Sequence, residues 1–202
     1  MPEPLPFWRA NFNSSDLVIM DTSFVMDLLE LNESKSRAQE CADTLHSIGI
    51  NKALAAFIFL VPLEMYNAIF QNKAKEAIKS EYNSIEYNQK ALKRFSKDNP
   101  EEYRKIVEES YRIAQEAMAT LKLYPQVYDQ ALGMPGQALV DASMTLQSKY
   151  LFPGTNDPTH LAIAVSENAT YFATTDRDYL VVNEPNLHIL VDDKLYKKYY
   201  NK

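Results

Sequence analysis

The chain predicts an α/β fold: a three-layer α/β/α domain around a central parallel sheet, with an inserted antiparallel helical hairpin. Three observations carry this. Short apolar runs such as Leu17-Val18-Ile19-Met20 lack polar alternation, as strands buried on both faces do. These runs alternate with segments of helical periodicity, which implies parallel strands joined by crossover helices. Residues 80–124 interrupt the alternation with two amphipathic seams and no strand.

The elements follow in order. Residues 1–16 hold three prolines and read as an irregular arm. The run at 17–20 reads as a strand that ends on Asp21. Residues 24–31 read as a short helix and 33–48 as a second, with Gly49 at its C′ position. Residues 54–61 read as a second buried strand; Pro62 can open a helix that continues to Lys79.

In the inserted segment, Tyr82, Ile85, Gln89, Leu92 and Phe95 recur at spacings of three and four. Tyr103, Ile106, Ser110, Ile113, Ala117 and Leu121 do the same. Between them Asn99 suits an N-cap, Pro100 a first helical residue and Glu102 a capping-box partner. Two helices joined by a short turn predict a hairpin. After Gly133-Met-Pro-Gly136, helices are expected at 138–150 and 156–168. A strand at 171–174, a helical turn at 178–182, a last strand at 187–191 and a basic, tyrosine-rich tail follow. The domain therefore spans 17–79 and 125–202, with the hairpin inserted at 80–124.

A hydrophobic content of 46% lets 202 residues bury a sizeable core. A single cysteine, Cys41, permits no internal disulfide and fits a reducing cytoplasm. The start, Met-Pro-Glu-Pro, has neither a basic n-region nor an apolar h-region, which argues against a secretory signal. The longest apolar stretch, 53–63, is too short to span a bilayer of roughly 30 Å, so no membrane role is expected.

The net charge is −6, so nucleic-acid binding by a general basic surface is excluded. Residues 72–125 carry 11 Lys+Arg against 9 Asp+Glu, and the remainder 10 against 18. The acidic excess lies in the part that holds the carboxylate motifs.

Each candidate acid has a local explanation. Asp21 and Asp176 follow strands and suit N-caps; Thr22 or Ser23 can take over that duty from Asp21. Asp157 precedes Pro158 and suits an N-cap. Glu64 suits the first turn of its helix, where the macrodipole favours a negative charge. Asp178 suits a solvated turn, and His160 a packed core histidine or a group that orients a carboxylate. These local roles leave the joint pattern unexplained: strand after strand ends at an acid. In open α/β sheets, ligands bind beyond the carboxyl ends of the strands. Carboxylates gathered there repel one another unless a divalent cation with a taste for hard oxygen ligands neutralises them.

These motifs resemble those of PIN-domain ribonucleases. Leu-Val-Ile-Met-Asp21-Thr-Ser-Phe-Val-Met-Asp-Leu-Leu looks like their opening strand and helix. Asp157-Pro-Thr-His-Leu-Ala-Ile-Ala resembles their third acidic motif, and Ala-Thr174-Thr-Asp176-Arg-Asp-Tyr their last. Glu64 matches their second acid by position. The resemblance covers residues 17–76 and 135–191 and omits the hairpin. It implies that Asp21, Asp157 and Asp176 bind Mg²⁺ or Mn²⁺, with Glu64 completing the catalytic set. Ser23, Thr174, Asp178 and His160 would support them. It implies an endoribonuclease that leaves a 5′-phosphate on its RNA product, with a protein antitoxin or inhibitor as partner; a homodimer is a separate expectation, from the inserted hairpin. Compact toxins of toxin–antitoxin pairs lack such an insertion.

The hairpin has two readings. Its seams can zip its helices together. Alternatively Lys90, Lys93, Arg94, Lys97, Arg104, Lys105 and Arg112, interleaved with tyrosines, can form an RNA-positioning or dimer surface. One rival to the enzyme is a catalytically silent PIN-like module that binds a partner. Another is an aspartate-phosphorylating fold, but the first strand lacks the paired acids of such folds, and the last strand runs into Asp192-Asp193 before Lys194, which leaves no lysine placed for a phosphate.

Overall fold

The computed structural model describes residues 3–32, 35–82, 86–128, 132–133 and 135–200. It divides into two compact units, one of residues 1–61 and 121–202 and the other of Pro62–Thr120.

In the first unit, β1 (Leu5–Pro6), β2 (Leu17–Met20), β3 (Leu54–Phe57), β4 (Tyr171–Ala173) and β5 (His188–Val191) form one sheet. Its order is β1-β5-β4-β2-β3, and each pairing is parallel. The central strands read as unbroken apolar runs because both faces are covered. Val18, Ile19, Met20, Ala55, Ala56 and Phe172 are all fully buried.

The chain moves one way from β2 to β3, through α1 (Thr22–Leu28) and α2 (Lys35–Ile50), which pack on each other. It returns across β2 to reach β4 through α6 (Gly136–Tyr150) and α7 (Asn156–Ser166), also packed together. Right-handed crossovers in opposite directions put these helix pairs on opposite faces, which gives the three layers expected. The direction reverses between β2 and β4, and that reversal opens a crevice at their carboxyl ends. A final helix, α8 (Asp193–Tyr200), packs near β1.

Four expectations change. The strand expected at 54–61 stops at Phe57, and the helix that follows opens at Val61, one residue before Pro62. Residues 1–16 are more than an irregular arm: Leu5 and Pro6 pair with Leu190 and Val191 as an edge strand. Proline is tolerated there because an edge strand has a side without ladder bonds. Phe7 and Phe12 anchor the segment edge-on against Phe24 and Tyr171.

Gly49 lies inside α2 and does not terminate it. Lys52, at φ 58°, takes the left-handed position, and Ala53 N donates to Ile48 O in a Schellman-type closure. Gly49 is needed for space: a Cβ there would lie 3.1 Å from the Gln126 side chain, whose Nε2 donates to Leu45 O. The expected helix start at Glu33 lies outside the described residues.

The inserted segment is also organised differently. Its first seam is split, because Tyr82 ends α3 (Val61–Tyr82) while Leu92 and Phe95 lie on the short α4 (Gln89–Asp98). Ile85 lies outside the described residues. Pro100 opens α5 (Pro100–Leu121), as its chemistry predicts. The second unit is therefore built from three helices. Ala74 and Ile78 of α3, Ala91 and Phe95 of α4 and Ile106 of α5 share one core. Three of its surface cations are paired with acids: Lys73 with Glu109, Arg94 with Asp98 and Arg112 with Glu116. No helix among the described residues is long and apolar enough to cross a membrane.

Phe95 is fully buried and touches Tyr82 edge-on. Phe95→Ala is expected to cost about 3–4 kcal/mol, as large-to-small substitutions of core aromatics do. Urea unfolding should show it, with hydrogen exchange accelerated in residues 62–120.

Candidate active site

The crevice is built by strand register. Met20 aligns with Ala173 of β4, and Asp21 N donates to Ala173 O at 2.9 Å. Thr174 N donates to Leu190 O. The residues just past β2 and β4 therefore emerge side by side.

Asp21 is nearly buried and caps α1 itself, so the expectation that Thr22 or Ser23 relieves it of that duty fails. Its Oδ2 accepts from Ser23 Oγ at 2.7 Å, from Thr174 Oγ1 at 2.9 Å and, at 3.4 Å, from Ser23 N. Its Oδ1 lies 3.3 Å from Nδ1 of His160, a charge contact whenever the imidazole is protonated. His160 is 1% exposed. It is thus both a packed core residue and a neighbour of the carboxylate, and the two readings of it merge.

Ser23 and Thr174 also meet each other, with their hydroxyl oxygens 3.1 Å apart. Thr175 N donates to Ser23 Oγ, and Asp176 N to Thr174 Oγ1. Asp176 caps the 3₁₀ turn Arg177–Val181 by accepting from Asp178 N at 2.9 Å. Asp178 itself lies 3.6 Å from Arg177 Nε.

Asp157 is not the N-cap of α7. Thr155 holds that position, Asn156 is the first helical residue, and Pro158 stands third. Proline is tolerated there because a first-turn N–H has no intrahelical partner. The Asp157 carboxyl is thereby released from capping, and Tyr179 Oη reaches its backbone carbonyl at 3.4 Å.

The carboxylates of this unit feel one another. Burial pushes the Asp157 carboxyl up to about 6, and the charges of Asp21 and Asp176 push the same way; His160 opposes and Asp178 adds. Burial also raises Asp176, against the N–H of Asp178; the charges of Asp178 and Asp21 raise it further. Asp21, Ser23, Asp157, His160, Thr174, Asp176 and Asp178 thus share one neighbourhood. Glu64 lies in the first turn of α3 and belongs to the other unit.

A buried acid that sequence reasoning passed over, Asp27, braces the site. It is 1% exposed and accepts from Thr175 Oγ1 at 2.7 Å and Asn32 Nδ2 at 2.9 Å, with Arg37 Nε at 3.5 Å. Its signal was an acid within the otherwise apolar Phe24-Val-Met-Asp-Leu28. Through Thr175 it ties α1 to the segment that carries Asp176.

The donors facing the crevice are hard oxygens, the class that Mg²⁺ and Mn²⁺ select. Among the described residues no three His, Cys, Asp or Glu side chains are grouped as a ready metal cage. Mg²⁺ binds through one or two carboxylates and keeps several waters, so the donor set fits it without a cage.

No protein-family profile matches the chain, and no curated protein matches it. Among solved structures, VapBC2 from Rickettsia felis bound to a DNA fragment from their promoter is similar at a TM-score of 0.47 and 13% identity. The match covers 86% of this chain and 96% of that one. The likeness is too distant to carry a residue role or an activity across.

The Asp157 carboxyl binds its proton more tightly in the folded chain than in the unfolded one, where about 3.9 is usual. Its contribution to stability is full below that value and lost as pH rises through about 6. In chelator, Asp157→Asn should therefore melt above the parent at about pH 7.5 and lose that advantage near pH 4. Asp27→Ala, which strands Arg37, Asn32 and Thr175, should cost about 2–3 kcal/mol in chemical unfolding.

Proposed function

We propose that the chain is a metal-dependent ribonuclease that hydrolyses phosphodiester bonds of RNA and leaves a 5′-phosphate. One observation carries this reading. Asp21, at the end of a central strand, is held by Ser23 and Thr174 from two segments, in a crevice where burial and neighbouring carboxylate charge raise the proton affinity of Asp157 and Asp176. Like charges kept at the reversal point of a parallel sheet are costly to the fold and useful to a cation site.

Asp21, Asp157 and Asp176 would hold Mg²⁺ or Mn²⁺, with Glu64 as the fourth acid that the motif resemblance implies. A divalent cation there supplies Lewis acidity, activating water and offsetting charge on the phosphate. Ser23 and Thr174 fix the Asp21 carboxylate by their hydroxyls, and His160 packs against its other oxygen. Asp27 positions Thr175 behind them. A protein antitoxin or inhibitor, and a homodimer, belong to the same reading.

The contact between His160 and Asp21 favours a second reading, a catalytically silent module that works by binding a partner. A protonated imidazole neutralises Asp21 locally, which lessens the need for a metal.

Cleavage of an unstructured RNA with Mn²⁺ separates the two. The parent should cut and stop on chelation, while Asp21→Asn should lower kcat by about a hundredfold or more. Parent protein that cuts no RNA with Mn²⁺ and takes up no metal by calorimetry would sink the enzyme.

A further inference from the structure

A cavity of about 440 Å³ lies beside the acidic site, between the end of α6, the 3₁₀ turn and α8. We infer that it is a binding subsite for one unpaired nucleotide of the RNA. In this subsite Phe152 and Tyr199 receive the base, and Arg177 and Lys198 hold the adjoining phosphate. The inference rests on the ribonuclease reading of the neighbouring carboxylates and names where the substrate chain is gripped.

The cavity abuts the acids through two short links. Asp178, on its wall, donates its N–H to Asp176 Oδ1. Phe152, also on its wall, packs against Tyr179 at 5.5 Å between ring centroids, and Tyr179 Oη reaches the Asp157 carbonyl. A nucleotide seated there lies one residue layer from the carboxylates, so its neighbour along the strand can reach them.

The lining has the mixed chemistry that single-stranded nucleic acid requires: aromatic faces for bases and cations for the backbone. Phe152 is buried and forms a fixed wall, whereas Tyr199 is 40% exposed and offers a ring face. Tyr199 is held edge-on by Tyr200, whose hydroxyl is bonded to Glu3. Arg177 keeps 77% of its side chain in solvent, with only the 3.6 Å contact to Asp178, and Lys198 is exposed. Two cations against one carboxylate make a basic spot on a chain of net charge −6.

The backbone is also bent to build this wall. Leu151 ends α6 at φ 57° with its side chain 82% exposed. That is the left-handed conformation in which helices commonly close, as α2 does at Lys52. Here the turn sends Phe152 inward and leaves Leu151 on the rim.

The test is fluorescence anisotropy with labelled oligouridine of about ten nucleotides, run in chelator so that neither metal nor cleavage enters. Tyr199→Ala should weaken binding about tenfold, the scale of one lost base stack. Lys198→Ala should lower the slope of log affinity against log salt by about 0.7, one phosphate contact on a single strand. Lys194→Ala, an exposed lysine on the same helix outside the cavity, should leave it unchanged. If both cavity variants bind as the parent does, the inference is overturned and the cavity falls to a protein partner. Equal losses in Lys198→Ala and Lys194→Ala overturn it too, since bulk charge then explains them. A loss seen with oligothymidine alone overturns the assignment to RNA.

Failure of the wider reading looks different. A parent that never cuts RNA but binds oligouridine through Tyr199 keeps the subsite and loses the nuclease. A parent that cuts with KM unmoved by Tyr199→Ala keeps the nuclease and loses the subsite.

Discussion

The Oδ2 atom of Asp21 is the point to which the ends of two central strands are tied. It accepts from Ser23, on the helix that β2 launches, and from Thr174, just past β4. Those strands meet where the direction of the sheet reverses. A carboxylate so nearly buried is tolerable only because each donor is placed before it arrives. Ser23 is set by α1, Thr174 by its pairing with Leu190, and Thr175 by Asp27. The crevice is thus a consequence of strand register, and its polar contacts are the means by which that register is held.

The same arrangement concentrates charge. Burial, with the charge of Asp21 beside it, raises the proton affinity of Asp157 and Asp176, against the general tendency of folded carboxylates to ionise easily. Asp27 shows the contrasting solution, in which a buried acid is satisfied by Arg37, Asn32 and Thr175. Two kinds of buried acid therefore stand side by side, one neutralised by its neighbours and one crowded by them. The first braces the site, and the second is where added positive charge has most to gain.

Positive charge on the chain is distributed to suit. In the second unit Arg94 and Arg112 are matched by acids one helical turn away, as on a solvated face. Next to the carboxylates, Arg177 and Lys198 border an aromatic-walled cavity instead. An acidic protein can hold a polyanion at such a spot without a general basic surface, because screening confines attraction to roughly 10 Å.

Local chemistry was legible wherever it repeated with a period or ended at a sharp boundary. The apolar runs at Leu17–Met20 and His188–Val191, the alanine-rich α7 and the proline that opens α5 are each visible in a few adjacent residues. So is the tendency of strands to end at acids, which by itself led to Asp21 and Asp176. Residues joined across 150 positions were another matter. That Thr174 and His160 turn toward Asp21, and that Asp27 serves Thr175, depend on register between strands far apart in sequence. Pairing of Leu5–Pro6 with β5, and the space that Gln126 takes beside Gly49, depend on it equally. The sequence by itself determined the central strands, most of the helices and the acids that stand at their ends, because periodicity and capping are properties of neighbours. Only the tertiary structure decided which of those acids meet, because the contacts that set a carboxylate's charge come from parts of the chain that no local pattern relates.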